Sequence, residues 1–377
     1  MDWVLMQLGA QGDITSLIAT LLWLLFFAIF FFYPSFSQRI QLSHMLRDLE
    51  KKLGRLKQIR DDVRGRALQV LGGYSDKKDL DKELDRMVNS FMIPPESMDP
   101  YGVVYKLEHI AVTWEDSFED MVRELCPKAD RERAKTLTNL VEVTRGVDLI
   151  YRIVRHFYLM GKKTNNIYLV LQLQMLMPQI MEIAEAYRQA SYAFSEGQPI
   201  GDGIGVLAVA KLVKDAEKKT YEIAKDTVVH ELMFEGRRLL AVRAAGPGGA
   251  VGRPGEGVRR LVEAENGRIG AIITVDAGLK LEGEETGKIV EGIGVAIGGI
   301  GIDKYKIEEV AKENRIPLYA FVIYESIAEA ITPMKESIAK AADKVLEKIK
   351  AIIREKVKEG ETVIVAGIGN TVGIGMT

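Results

Sequence analysis

Two acids and three glycine-rich loops are the residues best suited to chemistry. Ile272, Ile273 and Val275 form a short apolar run that reads as a buried strand, and the run stops at Asp276. A carboxylate ending a buried strand is costly unless it is paired or used. In open α/β sheets, ligands collect at those strand ends. Asp202 is the second acid, in Gly201-Asp202-Gly203 between a loop and a helix, where its plain role would be an N-terminal cap. Two such carboxylates could act as general acid and base if one pKa is raised. Glu282 follows in a charged stretch with Glu284 and Glu285 and is a third candidate catalytic acid; its plain reading is a solvated helix start.

The loops could bring backbone N–H groups close to an anion or substrate. GPGGAVGRPGEG (246–257) offers Gly248, Gly249 and Arg253 as ligand contacts. The stretch from Gly367 through Gly369 and Asn370, after an apolar strand, offers a second set, and QPIGDGIG (198–205) carries Asp202. No helix follows Gly369, so this is not a dinucleotide fingerprint. The 246–257 loop lacks the Gly-Lys-Ser/Thr of a Walker A motif. Glycines in turns are also simply turns.

These residues need a scaffold, and 377 residues are enough for two or three domains. A net charge of −2 gives no basic field, so no nucleic-acid partner is expected. The one cysteine, Cys126, cannot form an internal disulfide or a Cys-based metal site and reads as a buried thiol. Residues 1–13 are a short acidic tail. Ile14–Tyr33 is uncharged over 20 residues, long enough to cross a bilayer as a helix. It lacks the basic lead and cleavage site of a signal peptide. Basic residues from Arg39 to Lys57 follow it, which places the large C-terminal part in the cytoplasm of a single-pass protein of the cell membrane.

Residues 38–196 read as a helical cytoplasmic domain. Leu42, Leu46, Leu49, Leu53 and Leu56 keep a coiled-coil spacing, which fits either a homo-oligomer seam or a helix packed on its own domain. Leu149, Ile153, Phe157 and Met160 form a second apolar stripe. Ile167–Ile183 is apolar but interrupted by Gln172, Gln174, Pro178 and Gln179, so it reads as a buried bundle helix. At Ser195–Gly197 the composition turns glycine-rich. Residues 197–377 then alternate strands and helices, which predicts an α/β domain with a mostly parallel sheet. The spacing predicts a helix over 206–224, a hairpin turning at Glu235-Gly236, and a helix running to Gly298-Gly299.

Two resemblances add to these readings. Through FMIPPESMDPYGVVYKLEHI, EGQPIGDGIG, RAAGPGGAVGRPGE, VDAGLKLEGEETG and VAGIGNTVGIG, nearly the whole chain resembles an archaeal family of uncharacterised membrane-anchored proteins. More loosely, residues 197–377 are similar to hydrogenase-maturation endopeptidases and the spore germination protease. GDGIGVLAVAKL (201–212) resembles their segment entering the first helix, TVDA (274–277) their strand ending in Asp-Ala, and VIVAGIGN their opening strand and loop, here at the C-terminal end as a circular permutation would place it. The resemblance implies that Asp202 and Asp276 fill the two acidic positions that, with a histidine, grip a metal in the maturation enzymes. Here the histidines lie at 44, 109, 156 and 230, none after Asp276. The combined expectation is a membrane-tethered, hydrolase-like or peptidase-like domain. The competing expectations are a non-enzymatic nucleotide- or anion-binding module with Arg253 as a phosphate contact, and a membrane scaffold.

Overall fold

The computed structural model describes residues 2–96, 102–299 and 301–375, and in its first helix the side chains of 18–27 and from 38 onward. Asp2, Asp13, Tyr33 and Pro34, which delimit and orient the apolar run in the sequence, have side chains outside that description, and Pro100 lies outside the described residues. The chain divides into two compact units, one made of residues up to Lys57 with Tyr151–Met181, the other of Gln58–Ile150 with Glu182–Thr377.

Three helices build the first unit: α1 (Asp2–Gly72), of which it takes the part up to Lys57, and the adjoining parts of α4 (Arg131–Thr164) and α5 (Ile167–Glu196). Leu42, Leu49 and Leu56 are buried here together with Val154, Tyr158, Val170, Leu173 and Met177. Three leucines of the seam are thus buried within this unit, while Leu46 and Leu53 are half-buried. The stripe Leu149, Ile153, Phe157 and Met160 is exposed, as are Ile18 and Leu21–Phe27. By length and composition, Ile167–Glu196 is the helix among the described residues that could cross a membrane; the described apolar stretch of α1, Ile18–Phe27, is shorter.

In the second unit, α2 (Leu80–Val88), α3 (Val103–Leu125) and the remaining parts of α1, α4 and α5 accompany a seven-stranded sheet. Its strands are β1 (Lys219–Ala224), β2 (Thr227–Phe234), β3 (Arg237–Ala244), β4 (Ile269–Leu279), β5 (Ile289–Ile293), β6 (Leu318–Glu325) and β7 (Thr362–Gly367), in the order β1-β2-β3-β7-β4-β6-β5. The expected mostly parallel sheet is corrected to a mixed one. β3, β7, β4 and β6 are parallel, but β1–β2, β2–β3 and β5–β6 pair antiparallel.

The antiparallel edges come from two misread segments. The helix over 206–224 ends at Val213, as α6 (Ile204–Val213), and Lys219–Ala224 is the edge strand β1. Its Lys and Glu residues favour helix locally, but alternation of Tyr221 and Ile223 with Thr220 and Glu222 suits a half-buried strand. The helix expected to end at Gly298-Gly299 is absent; Gly292 and Gly294 interrupt it, and Ile289–Ile293 pairs with β6 instead. The β2–β3 turn stands as predicted, with Glu235 at φ 48° and Gly236 at φ 75°.

The core alternates across the sheet with the strand period of two. Ile273, Val275, Val363 and Val365 face α6 and α10 (Glu336–Lys356), while Ile272, Ile364 and Ala366 face α7 (Pro254–Ala264) and α8 (Ile302–Asn314). A short helix, α9 (Ile327–Ile331), follows β6. β7 is buried along its whole length at the centre of the sheet, and this carries its following loop to the middle of the strand ends.

Candidate functional site

A cleft of about 540 Å³ opens at the carboxyl ends of β4 and β7. Its floor carries Asp202 and Asp276, and Gly249, Arg253, Gly298, Gly299 and Gly369 border it. Three separate glycine loops therefore meet at one place. The opposite wall is helical: Trp114, Glu115 and Phe118 of α3 and Asn139 and Glu142 of α4 also line the cleft.

Asp276 is buried, and its two carboxylate oxygens accept hydrogen bonds from the backbone N–H of Ala277 (2.8 Å) and of Gly298 (2.9 Å). Two residues earlier, Thr274 Oγ1 accepts from the Ala296 N–H at 2.9 Å, so β4 anchors the 294–299 segment at two points. Asp202 sits in a 3-10 turn (Gly201–Gly203) leading into α6, and its Oδ2 accepts the Asn370 N–H at 2.8 Å. It is not a side-chain cap of α6.

Backbone proximity holds these acids together. Ile368 N–H donates to the Val275 carbonyl at 2.8 Å, and Gly205 lies so close to β4 and β7 that a Cβ there would collide with the carbonyls of Val275 and Ile368. Gly369 has φ 128°, and a Cβ on it would meet the Asp202 carbonyl. Only glycine satisfies both demands at 369.

Burial raises Asp276, and the neighbouring Asp202 charge raises it further, to about 7 against the two N–H bonds. Burial also raises Asp202, opposed by the Asn370 N–H. Asp276 is therefore held protonated well above the usual carboxylate range, with Asp202 raised beside it. Glu325, at the end of β6, is the acid that the sequence did not single out. It is 2% exposed, neither carboxylate oxygen has a hydrogen-bond partner, and a Cβ on Gly201 would run into it. Burial, then the charges of Asp202, Glu329 and Asp276, push it up to about 8. Its pairing register beside β4 could have been found only by knowing the strand order.

The remaining candidates divide. Asn370 is buried beside Asp202; its amide donates to the Gly249 carbonyl at 3.1 Å, and its Oδ1 accepts the Val372 N–H at 2.9 Å. Gly249 and Gly369 reach the cleft, whereas Gly248 is turned to α4, its carbonyl accepting from Thr136 Oγ1, and Gly367 packs under Gly205. Arg253 lines the cleft 3.5 Å from Asp116. Glu282 is a correction: it is exposed in the loop after β4 and does not line the cleft, because that loop turns toward β5 rather than entering a helix.

Asp202 and Asp276 do not by themselves make up a metal-ligand set. Among the described residues no three His, Cys, Asp or Glu side chains are placed to hold an ion. Both oxygens of Asp276 are already taken by backbone donors, and no histidine lines the cleft. His230 is buried in β2 between Thr220 and Arg243 and is lowered to about 4 by burial and then by Arg243. Cys126 is buried against the Leu71 carbonyl, and burial raises its thiol to about 11, which leaves it unreactive.

The fold and site define a three-layer α/β/α protein with a mixed sheet and a carboxylate-floored cleft at the switch region of its parallel strands. Two family models match it in order: a protein of unknown function (DUF1512) N-terminal domain over residues 20–197, and a domain of unknown function (DUF1512) C-terminal over 200–375. The chain belongs to the DUF1512 family. No curated protein matches it.

Proposed function

We propose that this protein is a hydrolase, of the peptidase-like kind, in which Asp202 and Asp276 work as a proton-sharing pair. The observation that carries this reading is their meeting on one cleft floor although 74 residues separate them, with each carboxyl raised by burial. The carboxyl that holds the shared proton donates it to the leaving atom or carbonyl oxygen of the scissile bond. The ionised partner takes a proton from water, which attacks the carbonyl carbon. The contact of the Gly369-Asn370 loop with Asp202 supports the permuted, peptidase-like arrangement, since it joins the last strand to the first loop of the domain.

The electrostatics disfavour the nucleotide- or anion-binding alternative. Each cleft cation is engaged: Lys135 with Asp226, Lys225 with Asp116 and Glu119, Arg253 with Asp116, and Lys306 with Glu108 and Glu256. The N-terminus of α7 is occupied by the chain's own Asp303, which accepts the Gly255 N–H at 2.8 Å. A substrate with a cationic group suits this cleft better than a phosphate.

The same reading places the protein in the cell membrane as a single-pass anchor through Ile14–Tyr33, with residues 38–377 cytoplasmic. The all-round exposure of Leu21–Phe27 supports it; α5, expected as a buried bundle helix, buries Leu173 and Met177 but exposes Tyr168, Leu171, Met175 and Leu176. Resistance of the full chain to alkaline extraction from membranes would be expected; release into the supernatant would refute the anchor. For the chemistry, a panel of model peptides and esters is to be assayed with Asp202→Asn and Asp276→Asn. Each should lose at least ~100-fold in kcat with an unchanged circular dichroism spectrum. Full activity in both variants would overturn the acid-pair reading.

A further inference from the structure

The α4–α5 hairpin ends in a feature that neither the cleft nor the anchor uses. From Leu149 to Met181 the sequence has four cations, Arg152, Arg155, Lys162 and Lys163, and no acid. The turn between the helices is well defined: Thr164 Oγ1 donates to the Met160 carbonyl (2.8 Å), Asn165 takes φ 51°, and Asn166 Oδ1 accepts the Leu169 N–H (3.1 Å). Around it Leu159, Met160 and Tyr168 are exposed, Tyr168 by 77%. Lys162 lies over the Tyr158 ring at 5.7 Å.

Its height along α1 can be counted. Both α1 and α5 leave the first unit at their C-terminal ends, after Lys57 and Met181, so they run the same way. Gln174 Nε2 donates to Asp48 Oδ2, which fixes their register. Eight residues before Gln174 lies Asn166; eight before Asp48 lies Ile40. Ile40 is seven residues beyond Tyr33, about 10 Å of helix. The headgroup layer is about 5–8 Å thick on each side, and a lysine stem reaches several ångströms more.

We infer that the hairpin tip, Lys162 and Lys163 with Met160 and Tyr168, docks on the anionic headgroups of the leaflet that α1 leaves. This contact rests on the anchor reading above. The occupant is lipid rather than a second copy, because a second copy would bring four more cations and no acid to the same place. Docking would fix the rotation and tilt of α1 at the surface.

The test uses the full chain in proteoliposomes, with Tyr168→Cys carrying a fluorophore; the native Cys126 is buried and stays unlabelled. Met233→Cys, exposed in β2, serves as reference. A headgroup-attached quencher should quench the Tyr168→Cys reporter in phosphatidylserine-rich vesicles far more than in phosphatidylcholine vesicles. Lys162→Glu with Lys163→Glu should abolish the difference, from loss of roughly 30-fold in surface partition. Equal and weak quenching in both lipids, with the protein still resisting alkaline extraction, would overturn the docking and spare the anchor. Energy transfer between reporters on separate copies, in place of quenching, would assign the tip to self-association and overturn it too. Loss of membrane association altogether would remove the anchor and the docking together.

Discussion

Asp276 and Glu325 are carboxyls that the folded chain keeps protonated far above their ordinary values of 3.8 and 4.5. Between about pH 4 and pH 8 the native state therefore holds more protons than the unfolded chain, and stability must fall as pH rises through this window. The opposite limb belongs to Glu256 and Glu329. Burial pushes both up, but hydrogen bonds from Arg259, Lys306 and Arg260 to Glu256, and from Lys335, Ser326 and Thr286 to Glu329, outweigh it and hold each at about 2. Their stabilisation is present above the ordinary 4.5 and is lost as pH falls toward 2. Thermal melts should show a maximum near pH 5, by this balance of linked protons, and a decline toward pH 8. Glu325→Gln, which cannot ionise, should flatten the alkaline decline and stabilise the protein by about 1–3 kcal/mol at pH 8. It should leave the midpoint at pH 5 little changed. A parallel downward shift at every pH would instead mean that Glu325 is needed for packing and not for its proton.

At the scale of elements, the site depends on how closely α6 approaches the sheet. Gly205 permits direct contact with the ends of β4 and β7, and Asp202 rides on the turn just before it. Gly205→Ala would push α6 outward by the width of a methyl group against backbone carbonyls that cannot yield. The expected cost is about 1–3 kcal/mol in denaturant unfolding, with loss of the proposed hydrolysis exceeding what the unfolded fraction explains. A variant of normal stability and activity would show that the contact is slack. The same contact explains what was legible in the sequence. Asp202, Asp276 and Asn370 stood out because strand, acid and glycine follow one another locally, and the central strands were apolar runs with no competing pattern. β1 and β5 were hidden because Lys, Glu and Ala around 216–226 favour helix, and glycines within 287–301 broke any period. Each strand is fixed by its neighbour in the sheet, not by its own residues. Glu325 was illegible for the same reason: it does not line the cleft, and its charge coupling to Asp202 and Asp276 exists only because β6 lies beside β4.

At the scale of the second unit, the cleft is not a property of the α/β sequence alone. One wall is the helices α3 and α4, held to the sheet side by Asn139 on the Gly249 carbonyl (2.9 Å), Lys135 on Asp226, Lys225 on Asp116 (2.6 Å) and Lys306 bridging Glu108 and Glu256. Lys306 and Glu256 are each close to nine-tenths buried at the side chain; removing the lysine leaves Glu256 with Arg259 and Arg260 but takes from Glu108 its buried cation. Lys306→Met is expected to destabilise by about 1–3 kcal/mol in denaturant unfolding, part of it recovered by adding Glu108→Gln. A further consequence concerns residues 197–377 expressed by themselves. They retain Asp202, Asp276, Glu325 and all three glycine loops, yet Trp114, Phe118, Asn139 and Glu142 would be missing from the cleft. Water would then reach the acids from the open side, and the burial that raises Asp276 would be relieved. The fragment is therefore expected to lose the proposed hydrolysis and to show Asp276 titrating nearer its ordinary value by carboxyl-selective NMR, with both restored when residues 58–196 are supplied in trans. A fragment as active as the full chain would confine the site to the strand ends and leave α3 and α4 with a packing role.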